Sequence, residues 1–282
     1  MLHLFEDESV SLHLAELKLI EGLSSDKGQE IQLYQHPFLG RVLVINSEIQ
    51  HIEAWASLYH EALVHIPIAF IPEVKRVLIL GGGSLFAARE ILKYDSIEQV
   101  TMIDHDYQVI ELVRKHYKHA KEVIVDNRLR LIFGDAFTSI EKTTETYDLI
   151  INDAVNLFTY SKKLKKKVFE LLADKLTGNG VCTDVVYRHI FEKELSMETM
   201  EILTKKFHSA FSLIVIPEYP GLLHLLSMWG NTKNISQHLS ESRNLIQRTW
   251  LKSPQKNPCD FYNPRFMDFY FYLPPYLKKI LS

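Results

Sequence analysis

The sequence predicts an α/β chain in which a parallel, doubly wound sheet is covered by helices and preceded by a small β domain. Three observations carry this reading. From Arg76 onward, short apolar runs alternate with amphipathic helical patterns, as in sheets whose two faces are both covered by crossover helices. The first of those runs ends in three glycines, "VLILGGGSLFAARE" at 77–90, ahead of a helical pattern. A βα unit turns backbone N–H groups toward a nucleotide in this way. Before all of this, residues 1–52 alternate apolar and polar with the period of strands.

Within that opening segment, "LHLAELKLIEGL" and "QEIQLYQHPFLGRVLVINSEIQ" read as strands, and "HPFLG" as the turn of a hairpin. The period changes at Ala54. "AWASLYHEALVHIPIAF" has apolar spacing of three to four, a helix that Pro67 disturbs near its end. The strands of the large sheet are then "RVLILG", "QVTMID", "LRLIFGD", "YDLIIND" and "GVCTDVV". Between them lie "FAAREILKY", "YQVIELVRKHY", "FTSIEK" and "KKLKKKVFELLADKL", of mostly helical pattern. "FSLIVIPEYPGLLHLLSMWG" adds an antiparallel strand pair.

With 282 residues, 46% of them hydrophobic and 24% charged, the composition is that of an ordinary soluble globule. A net charge of −3 supplies no basic field, so no nucleic acid is expected as a partner. The basic run "KKLKKK" at 162–167 reads as a solvated helix face. No apolar run approaches the ~18 residues of a membrane span, and "MLHLFEDESV" lacks the parts of a signal peptide. Cys182 and Cys259 stand far apart and read as free thiols in a reducing compartment. A cytoplasmic protein without a membrane partner is expected. No metal is expected either: "HEALVH" at 60–65 is one residue too long for two histidines on one helix face. The simplest serine-hydrolase motif, G-x-S-x-G, is absent from the sequence.

In such sheets the ligand lies beyond the carboxyl ends of the strands. Gly81, Gly83, Ser84, Asp104, Asp135 and Asp153 each follow a strand run. Any single Asp there also suits a helix cap. As a set they suggest a cofactor crevice. Asp104 is placed to accept from a ribose diol, and Asp135 from an exocyclic amino group. Phe86 stands where the dinucleotide fingerprint wants its third glycine. The loop therefore suits a ligand without phosphates, such as an adenosyl sulfonium.

At this point the chain resembles the polyamine aminopropyltransferase (spermidine synthase) family, as a divergent member. "GRVLVINSEIQ" is similar to the family's strand ending in Ile-Gln, and Tyr59 keeps the family's spacing of nine residues from Gln50. "GGGSLFAARE" resembles its G-G-G-D-G-G-x-x-R-E, "GDAF" its G-D-G/A-x-x, and "YDLIINDAVN" its Y-D-x-I-I-x-D-S-S-D. "IPEYPG" and "FYNPRFMDFYFYLP" resemble its P-T-Y-P-x-G and its closing motif. The resemblance implies an N-terminal β-hairpin domain, 1–52, and a Rossmann-like, methyltransferase-type catalytic domain, 53–282, in a homodimer or homotetramer. It implies transfer of an aminopropyl group from decarboxylated S-adenosylmethionine, as co-substrate, to putrescine or a similar small amine. Asp153 would be the base and Tyr59 would orient the amine. Gln29, Gln50, Gly81, Gly83, Ser84, Asp104, Asp135 and Ala136 would contact the donor. Tyr59, His60, Asn156, Tyr219 and Tyr262 would contact the amine.

Five family positions are changed. Ser84 stands for the Asp that meets the donor's amino group, Met102 for the Glu that takes the ribose, and His60 for Gln. Asn156 stands for the second Asp of D-S-S-D, and Met267 for His. Three of these remove a carboxylate from a pocket whose ligands are cations. Glu53, Asp184 and Glu218 are possible replacements. Two further functions stay open: a methyl or aminocarboxypropyl transferase using intact S-adenosylmethionine, which Ser84 would not repel, and a non-catalytic relative. The segment 154–162, "AVNLFTYSK", is a candidate lid.

Overall fold

Alternation in the first fifty residues resolves into paired strands: β1 (Leu2–Leu4), β2 (Leu12–Leu14), β3 (Lys18–Ser24), β4 (Glu30–His36), β5 (Gly40–Ile45) and β6 (Glu48–Ile52). The computed structural model describes residues 2–4, 12–153, 157, 160–188, 193–219, 224–233, 235, 254, 258–275 and 277–278. β3 to β6 form an antiparallel meander, and β1 pairs with β2 separately. The run "LHLAELKLIEGL" is thus two strands, broken at Glu16, whose φ is 58°. "HPFLG" does close the β4–β5 hairpin. Asn46 and Ser47, both at positive φ, make the tight turn that β5 and β6 require.

Helix α1 (Ala56–Ile68) follows, with Pro67 in its last turn. Then come β7 (Arg76–Leu80), α2 (Phe86–Ile91), β8 (Gln99–Asp104), α3 (Tyr107–His116), α4 (Lys118–Val123), β9 (Leu129–Phe133), α5 (Ala136–Lys142) and β10 (Tyr147–Asn152). The chain continues through α6 (Lys162–Asp174), β11 (Leu176–Arg188), α7 (Lys193–Lys206), β12 (His208–Ile214) and β13 (His224–Gly230). Among the described residues the large sheet has seven strands in the order β12-β13-β11-β10-β7-β8-β9. β11, β10, β7, β8 and β9 run parallel, while β12 and β13 are antiparallel to their neighbours. Helices α4 and α7 and the length of β11 go beyond what the sequence pattern predicts.

The apolar runs are continuous because each strand feeds two cores. Val77, Ile79, Leu149 and Ile151 belong to one cluster. Leu78, Leu80, Ile150 and Cys182 belong to the cluster on the opposite face. The basic run on α6 is less solvated than its charge suggests. Lys165 is fully buried against Glu198 at 3.1 Å, and Lys162 pairs with Glu201 at 3.0 Å.

The order of strands puts the reversal point between β7 and β10, where open α/β sheets leave a crevice. The Asp153 N–H donates to the Leu80 carbonyl at 2.9 Å, and the Gly81 N–H to the Ile103 carbonyl at 2.7 Å. The loop leaving β7 therefore starts pinned on both sides. Gly81 and Gly82 have φ of 78° and 87°, which only glycine adopts without strain. Leu85 is also left-handed, at φ 61°, yet wholly buried. Relief of its backbone strain is worth about 1 kcal/mol, and loss of its packing about 3 kcal/mol. Leu85→Gly should therefore destabilise by about 2 kcal/mol, read from denaturant unfolding. A gain in stability would reverse that ranking.

Candidate active site

Beyond the ends of β7, β8, β9 and β10 lies a cavity of about 480 Å³. Gln29, Gln50, Tyr59, His60, Gly81, Gly83, Ser84, Asp104, Asp135, Ala136 and Asp153 all line it. The meander supplies one wall through Leu43, Ile45, Asn46 and Glu48, and α1 supplies Tyr59 and His60.

The glycine loop runs between two carboxylates. A Cβ on Gly82 would come within 3.4 Å of Asp153 Oδ2, and one on Gly83 within 3.2 Å of Asp104 Oδ2 and 2.9 Å of Val109 Cγ1. Asp153 is pushed up to about 7 by burial, and the nearby Asp104 carboxylate adds to this. The Tyr59 hydroxyl, hydrogen-bonded to Asp153, acts in the opposite direction. Burial raises Asp104 as well, against the N–H of Asp106, which donates to it at 2.9 Å. Asp135 caps α5, accepting the Thr138 N–H at 2.7 Å, and this lowers its carboxyl. Asp135 therefore holds the capping role and a cavity position together. Gly83→Ala should displace the Asp104 carboxylate or the Val109 side chain and destabilise the fold by about 1–3 kcal/mol, read from denaturant unfolding.

Met102 is fully buried in the core, and Asp104 is the acid at the cavity end of β8. The strand-end carboxylate is thus present, two residues on from Met102. Ser84 remains uncharged, its Oγ 3.5 Å from His60 Nε2. Of the three possible replacement acids, Glu53 is held by Arg41 at 3.3 Å. Asp184 takes the Asn152 amide at 2.9 Å, and Glu218 takes the Ile52 N–H at 3.3 Å. None of the three lines the cavity among the described residues.

Two expected contacts fall elsewhere. Tyr262 is buried, its ring 5.1 Å from His65 and stacked on Tyr270 at 6.1 Å. Tyr219 packs near His224, with ring centroids 5.7 Å apart, and is not among the lining residues. Asn156 and most of the candidate lid lie outside the described residues, although Tyr160 lines the cavity.

The two ends of "HEALVH" serve different neighbourhoods. His60 joins His51, Phe86, Tyr117 and His119 in a ring cluster behind the glycine loop, the closest pair being Phe86 and His119 at 3.7 Å. His119 donates to the Ser84 carbonyl at 2.9 Å. His65 pairs instead with Glu90 at 2.9 Å and Tyr94 at 2.8 Å, and Cys259 approaches the same group. Glu90 already holds Arg89 and Lys93. Between the histidines, Glu61 accepts the backbone N–H groups of Asp260, Phe261 and Tyr262 at 2.9, 2.7 and 2.7 Å.

Sequence reasoning missed Glu48, His105 and Phe137 as lining residues, and placed Tyr160 there only as part of the candidate lid. His105 follows Asp104 and Phe137 follows Ala136, so a wider window around each strand end would have found them. Glu48 and Tyr160 reach the cavity only through the tertiary path.

The spermine/spermidine synthase domain matches residues 56–239. A polyamine aminopropyltransferase of Buchnera aphidicola subsp. Schizaphis graminum is 31% identical over 260 residues, covering 91% of this chain and 89% of that one. Putrescine N-methyltransferase 2 of Nicotiana attenuata is 29% identical over 288 residues, covering 99% and 76%. The spermidine synthase of Thermotoga maritima superposes with a TM-score of 0.77 at 24% identity, over 94% of this chain and 87% of that one.

Proposed function

The chain belongs to the spermine/spermidine synthase family, and from that premise we propose that it is an aminopropyltransferase of polyamine synthesis. Its donor is decarboxylated S-adenosylmethionine and its acceptor is putrescine or a similar amine. The observation that carries this reading is Asp153, a carboxylate bonded to Tyr59, raised to about 7, beside the glycine loop.

The amine nitrogen attacks the methylene next to the sulfonium. A C–N bond forms, the C–S bond breaks with its electron pair going to sulfur, and 5′-methylthioadenosine leaves. The proton lost from nitrogen goes to Asp153. A free alkylammonium has a pKa near 10, so an ordinary carboxylate is a poor acceptor for its proton. Raising the carboxyl from 3.8 to about 7 narrows that gap by about 4 kcal/mol. The donor's positive charge keeps Asp153 ionised before reaction, and conversion of sulfonium to thioether removes that restraint as the proton must move.

Asp104 suits the ribose hydroxyls and Asp135 the adenine amino group, with Gln29, Gln50, Gly81, Gly83, Ser84 and Ala136 around them. The division at 52/53, a homo-oligomeric state and a cytoplasmic location belong to the same reading. It is supported by a meander that ends at Ile52 and by the absence, among the described residues, of a helix long and apolar enough to cross a membrane.

A second reading, methyl or aminocarboxypropyl transfer from intact S-adenosylmethionine, is favoured by the uncharged Ser84 and by the name of the Nicotiana relative. The deciding experiment titrates both donors and 5′-methylthioadenosine in parallel by calorimetry, then assays methylthioadenosine release with putrescine. Tighter binding of the decarboxylated donor with release supports aminopropyl transfer. Tighter binding of the intact donor selects the second reading, and no consumption of either would point to a non-catalytic member.

A further inference from the structure

We propose that Gln108 is a positioning residue, which fixes Gln29 on one wall of the cavity at a set distance from Asp104 on the other. This rests on the nucleoside-donor reading above and adds a side chain that lies outside the cavity lining.

The two walls are joined by an unbroken line of hydrogen bonds. Asp104, at the end of β8, accepts the Asp106 N–H on Oδ1 at 2.9 Å. Asp106 Oδ1 in turn accepts the Gln108 N–H at 2.9 Å and so caps α3. Gln108 Oε1 then accepts the Asp26 N–H at 2.6 Å, from 82 positions away in sequence. Asp26 stands in the turn between β3 and β4, three residues before Gln29. Of these bonds, the one made by the Gln108 side chain crosses from α3 to the meander. Both residues at the ends of the line, Asp104 and Gln29, line the cavity.

The turn is stiff enough to pass that restraint on. Ser25 is buried, and its Oγ accepts the N–H groups of Lys27 and Gln29, both at 3.2 Å. The Ser25 N–H donates to the Gln29 carbonyl at 2.8 Å, and the Ser25 carbonyl accepts the Gly28 N–H at 2.9 Å. Gly28, at φ 77°, lets so short a loop close without strain. Residues 25–29 are thus tied to one another, and holding the Asp26 N–H holds Gln29.

The same bond matters little to the fold. Gln108 lines an open groove between β3 and α3, where water can replace a lost acceptor. The meander is also fastened two turns further along α3, where Glu21 takes Lys115 and His116, each at 2.7 Å. Those bonds attach β3 to α3 without touching the turn that carries Gln29.

The test titrates 5′-methylthioadenosine by calorimetry into wild type, Gln108→Ala, Gln108→Glu, Gln29→Ala, the Gln29→Ala/Gln108→Ala pair and Glu21→Ala, and records Tm for each. Gln108→Ala should weaken binding about fivefold, the worth of one hydrogen bond. Its Tm should stay within about 2 °C of wild type, as for a substitution in contact with water. Gln108→Glu keeps an accepting oxygen and puts its charge at the start of α3, where the helix dipole favours it. Its affinity should remain within about twofold of wild type. The double variant should bind as Gln29→Ala does, because Gln108 acts through Gln29. Glu21→Ala should leave affinity unchanged. Full affinity in Gln108→Ala, or losses that multiply in the double variant, would overturn the proposal. So would an equal loss in Glu21→Ala, or a fall in Tm that Gln108→Glu does not restore, since either would mean a general loosening of the meander. A wild type that binds no methylthioadenosine would bring down the nucleoside-donor reading and the proposal with it, before any substitution is made.

Discussion

Asp153→Asn is expected to abolish turnover, by about a hundred- to ten-thousandfold, the range over which a positioned general base acts. Affinity for 5′-methylthioadenosine should hardly change, because Asp104 and the glycine loop are untouched. The wild-type pH profile of kcat/KM should rise with pH through an inflection near 7, where Asp153 ionises. In the variant that limb should vanish with the activity. Stability should move the other way. A carboxyl raised from 3.8 to about 7 lets the native state hold a proton that the unfolded chain has released. That contribution is fully present below about pH 4 and is lost as pH rises through 7. Above 7 the folded protein carries a recessed charge that the asparagine does not. Water in the cavity screens it, so Asp153→Asn should stabilise the ligand-free protein by about 1–2 kcal/mol at pH 8 and by little at pH 4. Full activity in this variant would remove Asp153 from the chemistry. Equal stability at both pH values would show that its charge is well solvated.

Glu61→Ala carries the largest structural penalty. Glu61 is 1% exposed, and its two oxygens take three consecutive backbone N–H groups from the C-terminal segment. Each donor left without a partner in a buried setting costs about 1–3 kcal/mol. Part of the segment is open to water, so the sum should fall near the lower end, about 4 kcal/mol. For a chain of this size that lowers Tm by about 10 °C. Glu61→Gln keeps one accepting oxygen and should lose less than half as much. A small change in Tm for the alanine variant would mean that water satisfies the three donors.

The central strands β7, β8 and β10 were legible because they are buried on both faces, and a short apolar run between polar turns has to be covered from both sides. The acids at strand ends were legible for a related reason, since a polar residue just after such a run has to sit at the sheet's edge. Depth along a strand was not. Met102 and Asp104 share a face by alternation, yet one residue lies in the core and the other in the cavity. The distinction depends on where the sheet stops, which periodicity does not encode. Tyr219 and Tyr262 follow irregular backbone, so their directions come from tertiary path alone. The same holds for the ring cluster of His51, His60, Phe86, Tyr117 and His119. Its members come from five separate elements or loops, and no local pattern joins them.

The bonds from Glu61 to residues 260–262 span about two hundred positions of sequence. The helix that presents Tyr59 and His60 leaves the ribosome about two hundred residues ahead of these partners. Closure of so long a loop is slow relative to local folding. A nascent chain can thus complete its meander and begin its sheet while the cavity still lacks a fixed wall. The wall of the cavity would set as a single event, tied to synthesis of residues 260–262.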